Sequence, residues 1–228
     1  DKVKITSTML EDIDWDVAVA GFKVGESVTY NDLLYGAILS SGADAVNALA
    51  ISTGGSFDDF VKLMNKKVEE LGLKNTHFEN VTGLYDSNHY SSAYDMSKIL
   101  IYALKNKKFK EIFETKYYTS TNNIKMKSTV VSYNSSNRDI SFITGAKTGY
   151  IAKAGYCLAS TATIDKVNYL LVTLNAYSDN SPHIYDAIKA YKYYGDNYEY
   201  KNIVNTDDVV VTLKTKYAKE KEIDIYSN

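Results

Sequence analysis

Hydrophobic and polar positions change their period along this chain. From Asn31 to about Lys105 the apolar residues recur every three or four positions, the spacing of helices with one buried face. Leu33, Leu34, Ala37 and Ile38 share a helix that Asn31-Asp32 can cap and that runs to about Ser40. Ser41-Gly42 breaks it. A second helix follows from about Ala43 to Ser52, with Val46, Leu49 and Ala50 on one face. Beyond the Gly54-Gly55 loop, Ser56 and Asp59 have the spacing of a capping box. The helix they open carries Phe57, Phe60, Val61, Met64, Val68 and Leu71 on one stripe and stops at Gly72. Asn75 to Tyr90 is rich in turn residues. Ser92 with Asp95 then opens a helix to about Lys105.

After residue 116 the period shortens towards two. Strands are predicted at Lys116–Ser120, Ile140–Thr144, Tyr156–Thr163 and Val167–Leu174, the last two joined by an Asp165-Lys166 hairpin turn. Pro182 after Ser181 suits a helix start, and that helix reaches about Tyr194. Residues 1–30 read as strands and loops. Central helices, an antiparallel sheet and a closing helix make the fold class α+β. Val209, Val211 and Leu213 alternate with their neighbours, Ala218 to Lys221 turns, and Glu222 to Tyr226 alternates back. A lone hairpin is marginal in water. Residues 201–228 therefore read as the first hairpin of a β-rich C-terminal domain, after a domain spanning 1–200.

Composition narrows the function classes. The 228 residues are 45% hydrophobic, enough for a real core, and a net charge of -2 gives nucleic-acid binding no support. Seven lysines between Lys105 and Lys127 read as a solvated face in preference to a polyanion or membrane patch. One cysteine, Cys157, rules out an intrachain disulfide and a multi-cysteine metal site; it reads as core. No apolar run has membrane-spanning length and no signal peptide is visible. The chain opens on Asp1, as a processed, trimmed or cut chain would. His77 and His89 lie in the turn-rich loop and read as structural, and His183 lies at a helix start. No H-E-x-x-H spacing supports a zinc peptidase, and neither a metal nor a cofactor is implied.

Two segments carry candidate chemistry. In Lys147-Thr148-Gly149, a cation and a hydroxyl can hold a carboxylate, and the glycine lets a ligand backbone lie against a strand. Alone, such a tripeptide arises by chance in about one chain of this composition in ten; the plain alternative is a surface turn. In Ser41-Gly42-Ala43-Asp44, the serine at a helix break can point into a cleft, or it can simply cap the next helix.

Taken together the chain resembles the low-molecular-weight penicillin-binding proteins, the D-alanyl-D-alanine carboxypeptidases. The resemblance includes Tyr30-Asn31-Asp32-Leu33-Leu34-Tyr35-Gly36, Ser41-Gly42-Ala43-Asp44-Ala45, Leu71-Gly72-Leu73-Lys74-Asn75-Thr76-His77-Phe78, His89-Tyr90-Ser91-Ser92-Ala93-Tyr94-Asp95 and Lys147-Thr148-Gly149-Tyr150, from about Gly25 to Tyr194. It implies a β-lactamase-like transpeptidase domain, an antiparallel sheet with a helical subdomain. It also implies a serine peptidase that removes the terminal D-Ala of peptidoglycan stem peptides through an acyl-enzyme and is acylated by β-lactam antibiotics. The family uses S-x-x-K, S-x-N and K-T-G in that order. By position Ser41 is the catalytic serine of the second motif, which relays protons near the leaving nitrogen. Lys147, Thr148 and Gly149 hold the terminal carboxylate and pair with substrate backbone. Such proteins work outside the cytoplasm in the bacterial cell envelope, secreted or membrane-associated, and serve cell-wall biogenesis and cell shape. Any membrane association here would come from parts outside this chain.

Two departures stand out. Ala43 occupies the substrate-binding Asn position of S-x-N, at a cost on the order of 2–4 kcal/mol of transition-state stabilisation. Asp44 points about 100° away around a helix and is a poor substitute. No Ser-x-x-Lys occurs in the sequence; the family places it upstream of S-x-N, which here falls before Asp1. Ser178-Asp179-Asn180 mimics S-D-N but follows K-T-G and reads as a loop and cap. On this reading the first strands and nucleophile helix are missing. The chain is part of a longer polypeptide, is complemented by another segment, or is a degenerate homologue. The expectation is a carboxypeptidase fragment inactive alone, the alternatives being a non-catalytic wall-binding homologue and, more weakly, a β-lactamase.

Overall fold

The computed structural model describes every residue except 12, 135, 179, 200–207, 217–218, 221 and 227–228. Strand β1 (Lys2–Lys4) pairs antiparallel with β2 (Ser27–Thr29), and the short helix α1 (Ser7–Leu10) lies between them in sequence. Helices α2 (Tyr30–Leu39), α3 (Ala43–Gly54), α4 (Phe57–Glu70), α5 (Ala93–Ala103) and α6 (Lys107–Glu114) follow. A small hairpin, β3 (Tyr117–Thr119) and β4 (Lys125–Lys127), leads to the short helix α7 (Thr129–Tyr133). Strands β5 (Ile143–Ile151), β6 (Gly155–Ile164) and β7 (Val167–Ala176) form an antiparallel sheet in the order β5-β6-β7, and α8 (Pro182–Asn197) packs on it. Strands β8 (Val209–Lys214) and β9 (Glu222–Tyr226) make the final hairpin.

Local chemistry explains most of the element ends. Ser56 and Ser92 accept from the amides of Asp59 and Asp95, as the capping-box spacing requires. Gly72 has φ +66 and closes α4 by a Schellman pattern: Leu73 N donates to Val68 O and Gly72 N to Glu69 O. Asp165 and Lys166, at φ 48 and 67, form the tight left-handed turn that joins β6 to β7. The cap of α2 is Thr29, which accepts from the Asp32 amide, and not Asn31-Asp32. Asp32 is instead fully buried. It accepts from the hydroxyls of Thr29, Tyr118 and Thr121, which tie α2 to the β3–β4 hairpin 86 residues away.

The lysines of the lysine-rich stretch are exposed, Lys116 partly so, as a solvated face requires, but the stretch also contains an unpredicted helix, α6, capped by Asn106 and anchored by buried Ile112 and Phe113. Two expectations need correction. The strand expected at Ile140–Thr144 starts at Ile143 and runs through the K-T-G motif to Ile151, because β6 pairs with it along that length. Cys157 is partly exposed and not core. The expected turn at Ala218–Lys221 and the loop Ser178-Asp179-Asn180 lie partly outside the described residues.

Two cores result. One joins β1, β2, α2 and α3 through Val3, Ile5, Val28, Leu33, Leu39 and Ala45. The other lies between the sheet and α8, with Ala146, Leu158, Ile184, Ala187 and Tyr191. The α2–α3 corner and β5 come from opposite sides of this division, and the candidate site lies where they meet. The apolar residues of β8 and β9, Val209 to Leu213 and Ile223 to Tyr226, are exposed.

Candidate active site

The break between α2 and α3 is built by three consecutive residues. Ser40 ends α2 in the right-handed region, Ser41 takes φ 53, and Gly42 is the N-cap of α3 without a side-chain cap bond. A left-handed serine costs on the order of 1 kcal/mol, so the surrounding structure must hold it. Gly42 is required here by close approach. A Cβ on it would lie 2.6 Å from the Ala20 amide nitrogen and 2.6 Å from Asp44 Oδ1. Ser41 is therefore not the helix cap that its position also allowed.

Asp44 explains how the corner is locked. Its carboxylate is 2% exposed and accepts from the amides of Ala20 at 2.7 Å, Gly21 at 2.7 Å and Phe22 at 2.9 Å, and from Ala45 at 2.9 Å. Ala43 N donates to Ala18 O at 2.9 Å, closing the same seam. Asp44 is thus committed to the segment 18–22 and has no acceptor capacity to spare. It does not stand in for the missing Asn. Ala43, 4% exposed at the first position of α3, contributes only a methyl group. The anchoring role of Asp44 was not found in the sequence; an acidic residue in the first turn of a helix was the signal available.

Across from this corner, Lys147 Nζ donates to Ser41 Oγ at 2.7 Å and to the Thr148 carbonyl oxygen at 2.6 Å. Burial pushes its pKa down from 10.5 to about 8, and no neighbouring charge offsets that among the described residues. The ammonium has lost water without gaining a counter-ion. Thr148 is 5% exposed and pairs with Leu158; Gly149 pairs with Cys157 and is exposed. A Cβ on Gly149 would meet only Cys157 Cβ, at 3.8 Å, so the chain's own packing does not demand glycine there. β5 is an edge strand among the described residues, so its outer side is open to a ligand backbone along Lys147–Ile151.

The histidines stay apart from this pair. His77 meets Glu79 at 3.1 Å, and His89 accepts from the Glu79 amide at 3.2 Å, both within the loop before α5. His183 is fully buried in the first turn of α8 with neither ring nitrogen hydrogen-bonded. Among the described residues no three His, Cys, Asp or Glu are grouped to hold a metal, and no helix is long and apolar enough to cross a membrane.

Comparison with known proteins shows the family and the fold. A family model described as D-alanyl-D-alanine carboxypeptidase matches residues 1–178. The D-alanyl-D-alanine carboxypeptidase DacF of Bacillus subtilis is 35% identical over 204 residues, covering 88% of this chain and 51% of DacF. DacA of Escherichia coli K12 is 42% identical over 146 residues, covering 62% of this chain and 34% of DacA. The crystal structure of the Streptomyces K15 DD-transpeptidase superposes with a TM-score of 0.75 at 30% identity, over 84% of this chain and 78% of that one. Penicillin-binding protein 5 from Haemophilus influenzae gives 0.76 at 26% identity, over 100% and 65%. The chain spans about half the length of DacF and about a third of DacA.

Proposed function

This chain belongs to the D-alanyl-D-alanine carboxypeptidase family, and on that premise we propose that it forms the carboxylate-holding and proton-relaying half of a serine-type D-Ala-D-Ala carboxypeptidase site. The substrate class is a peptidoglycan stem peptide ending in D-Ala-D-Ala, and the setting is the bacterial cell envelope. The observation that carries the reading is the Lys147 ammonium, desolvated, without a counter-ion among the described residues and bonded to Ser41 Oγ. A partly buried cation in that state gains most from a ligand carboxylate.

The chemistry follows from the donors. Lys147 donates to Ser41 Oγ, so the Ser41 proton is free to be given to the leaving D-Ala nitrogen as the peptide C–N bond breaks. Lys147 and Thr148 hold the terminal carboxylate, and the open edge beside Gly149 accepts the peptide backbone. The serine that attacks the penultimate D-Ala carbonyl, and from which water later releases the acyl group, belongs to a Ser-x-x-Lys supplied outside these 228 residues; the sequence contains none. β-Lactams acylate the same serine.

Ala43 favours a second reading, a non-catalytic wall-binding member of the family: it keeps the carboxylate site and lacks the side-chain amide of S-x-N. Both readings require carboxylate capture. Titrating N-acetyl-D-Ala-D-Ala into the isotope-labelled chain should shift the amide resonances of Ser41 and Lys147–Tyr150. The same peptide with a C-terminal carboxamide should not shift them. Equal responses to acid and amide, or none to either, would end both readings. Release of D-Ala by a polypeptide that joins this chain to a Ser-x-x-Lys segment separates the enzyme from the binder.

A further inference from the structure

The segment between α1 and β2 carries the only tryptophan of the chain, and the fold holds it in water. Trp15 is 96% exposed, although tryptophan is on average among the well-buried residues. Val17 N donates to Asp14 O at 3.0 Å, so Trp15 and Asp16 form the tip of a turn. The turn stands between two anchors: Met9 before it and Phe22 after it are buried in the first core. On the approach to Phe22, the amides of Ala20, Gly21 and Phe22 are held by the Asp44 carboxylate. The indole is thus displayed to solvent from a fixed base.

That base lies on the rim of the candidate site. Ala18 O accepts from the amide of Ala43, just beyond Ser41, at 2.9 Å. The chain from Ala18 back to Trp15 spans at most about 11 Å. The surroundings of the ring carry one sign of charge. Glu11, Asp12, Asp14 and Asp16 flank it in sequence, and no lysine or arginine occurs between Lys4 and Lys23. Glu11, Asp14 and Asp16 are exposed. Such a surface repels phosphate polymers and anionic lipid, and helices that lie in a membrane interface carry basic residues instead. A neutral ligand with an apolar face and many hydroxyls fits. The C–H face of a pyranose covers an indole, and its hydroxyls donate to carboxylates beside it.

We infer that Trp15 is a glycan-binding residue: its indole stacks on a sugar ring of the peptidoglycan backbone, and Asp14 and Asp16 accept from the sugar hydroxyls. The inference rests on the peptidoglycan reading of the site and extends it from the stem peptide to the polysaccharide that carries it. Each residue of a stem peptide spans at most about 3.5 Å, so the sugar bearing a peptide captured at Lys147 stays close to this rim. The turn then favours peptide still attached to polymer over free peptide, because the second contact is made within one complex.

The probe is the uncharged β-1,4-linked tetramer of N-acetylglucosamine. As the only tryptophan, Trp15 reports on it directly. Adding the tetramer should change its emission saturably, with a Kd on the order of 1 mM. Saturation-transfer NMR on the sugar should show contact with the unaltered chain, about tenfold weaker binding to Trp15→Ala and an intermediate loss in Trp15→Phe. No emission change, or tetramer binding that survives Trp15→Ala, overturns the inference. A blue shift on phosphatidylcholine or phosphatidylglycerol vesicles in place of the sugar also overturns it and makes the turn a membrane element. Shielding of Trp15 from acrylamide in the polypeptide that joins this chain to a Ser-x-x-Lys segment overturns it as well, since the ring is then packing surface. The dipeptide titration scores carboxylate capture separately, so failure of one is told from failure of the other. Far-UV circular dichroism confirms that both variants are folded.

Discussion

The Lys147 ammonium donates to the Ser41 hydroxyl at 2.7 Å, joining two residues 106 positions apart. The contact bridges the helical corner and the edge of the sheet. It also places a left-handed serine, a desolvated cation and an open strand edge within one small region. Each part has an ordinary explanation alone; their convergence does not.

Lys147 should make stability depend on pH in the alkaline range. Its folded pKa, about 8, lies below the ordinary 10.5, so between these values the unfolded chain binds the extra proton. Stability then rises with pH by about 1 kcal/mol per unit from pH 8 towards 10. Urea titrations at pH 7.5, 8.5 and 9.5 should show this rise, and Lys147→Met should abolish it. Affinity for N-acetyl-D-Ala-D-Ala should move the opposite way, falling above pH 8 as the ammonium is lost.

The chain by itself should not be acylated. Incubation with benzylpenicillin should leave its intact mass unchanged, since Ser41 is bonded to Lys147 as a relay and no Ser-x-x-Lys is present. A penicilloyl adduct on the chain would overturn the assignment of Ser41 to the second motif and reopen the identity of the nucleophile.

Asp44→Asn should destabilise the chain by about 3 kcal/mol, because it replaces one accepting oxygen with a donor facing the amides of Ala20, Gly21 and Phe22. The loss should appear as a lower urea midpoint. Peptide binding at Lys147 should weaken in the same variant, since the segment 18–22 supports the corner that holds Ser41. A midpoint unchanged from the parent would show that the carboxylate is not the anchor.

His183 should make the chain acid-sensitive. Burial holds its pKa down to about 4 against an ordinary 6.5, with Asp186 pulling weakly the other way. The folded state therefore refuses a proton that the unfolded state takes. Stability is lost as pH falls from 6.5 to 4, by about 3 kcal/mol in total. Tyr133 and Tyr156 are the rings packed on it. His183→Phe should remove this component. At pH 7 it should match or exceed the parent in stability, because neither ring nitrogen has a hydrogen-bond partner to lose. Urea midpoints at pH 7 and 4.5 decide the matter.

Some of this was legible residue by residue. Ser56, Gly72, Ser92, Pro182 and the Asp165-Lys166 pair set element ends through hydrogen bonds and backbone angles that reach only a few positions, so the sequence states them directly. The motif at Lys147–Gly149 and the serine at a helix break were visible for the same reason. Helix α6 escaped notice because its lysines dominate the pattern, and its anchor, Phe113, acts by packing on Gly145 far along the chain. The amides of Ala20, Gly21 and Phe22 gathered by Asp44, the Ser41–Lys147 contact, the depressed Lys147 and the unpartnered His183 were likewise decided by tertiary structure alone. Each depends on which groups are excluded from water and on who then faces them. Those two quantities are set when segments 22 to 106 residues apart are packed together, and no local spacing encodes them.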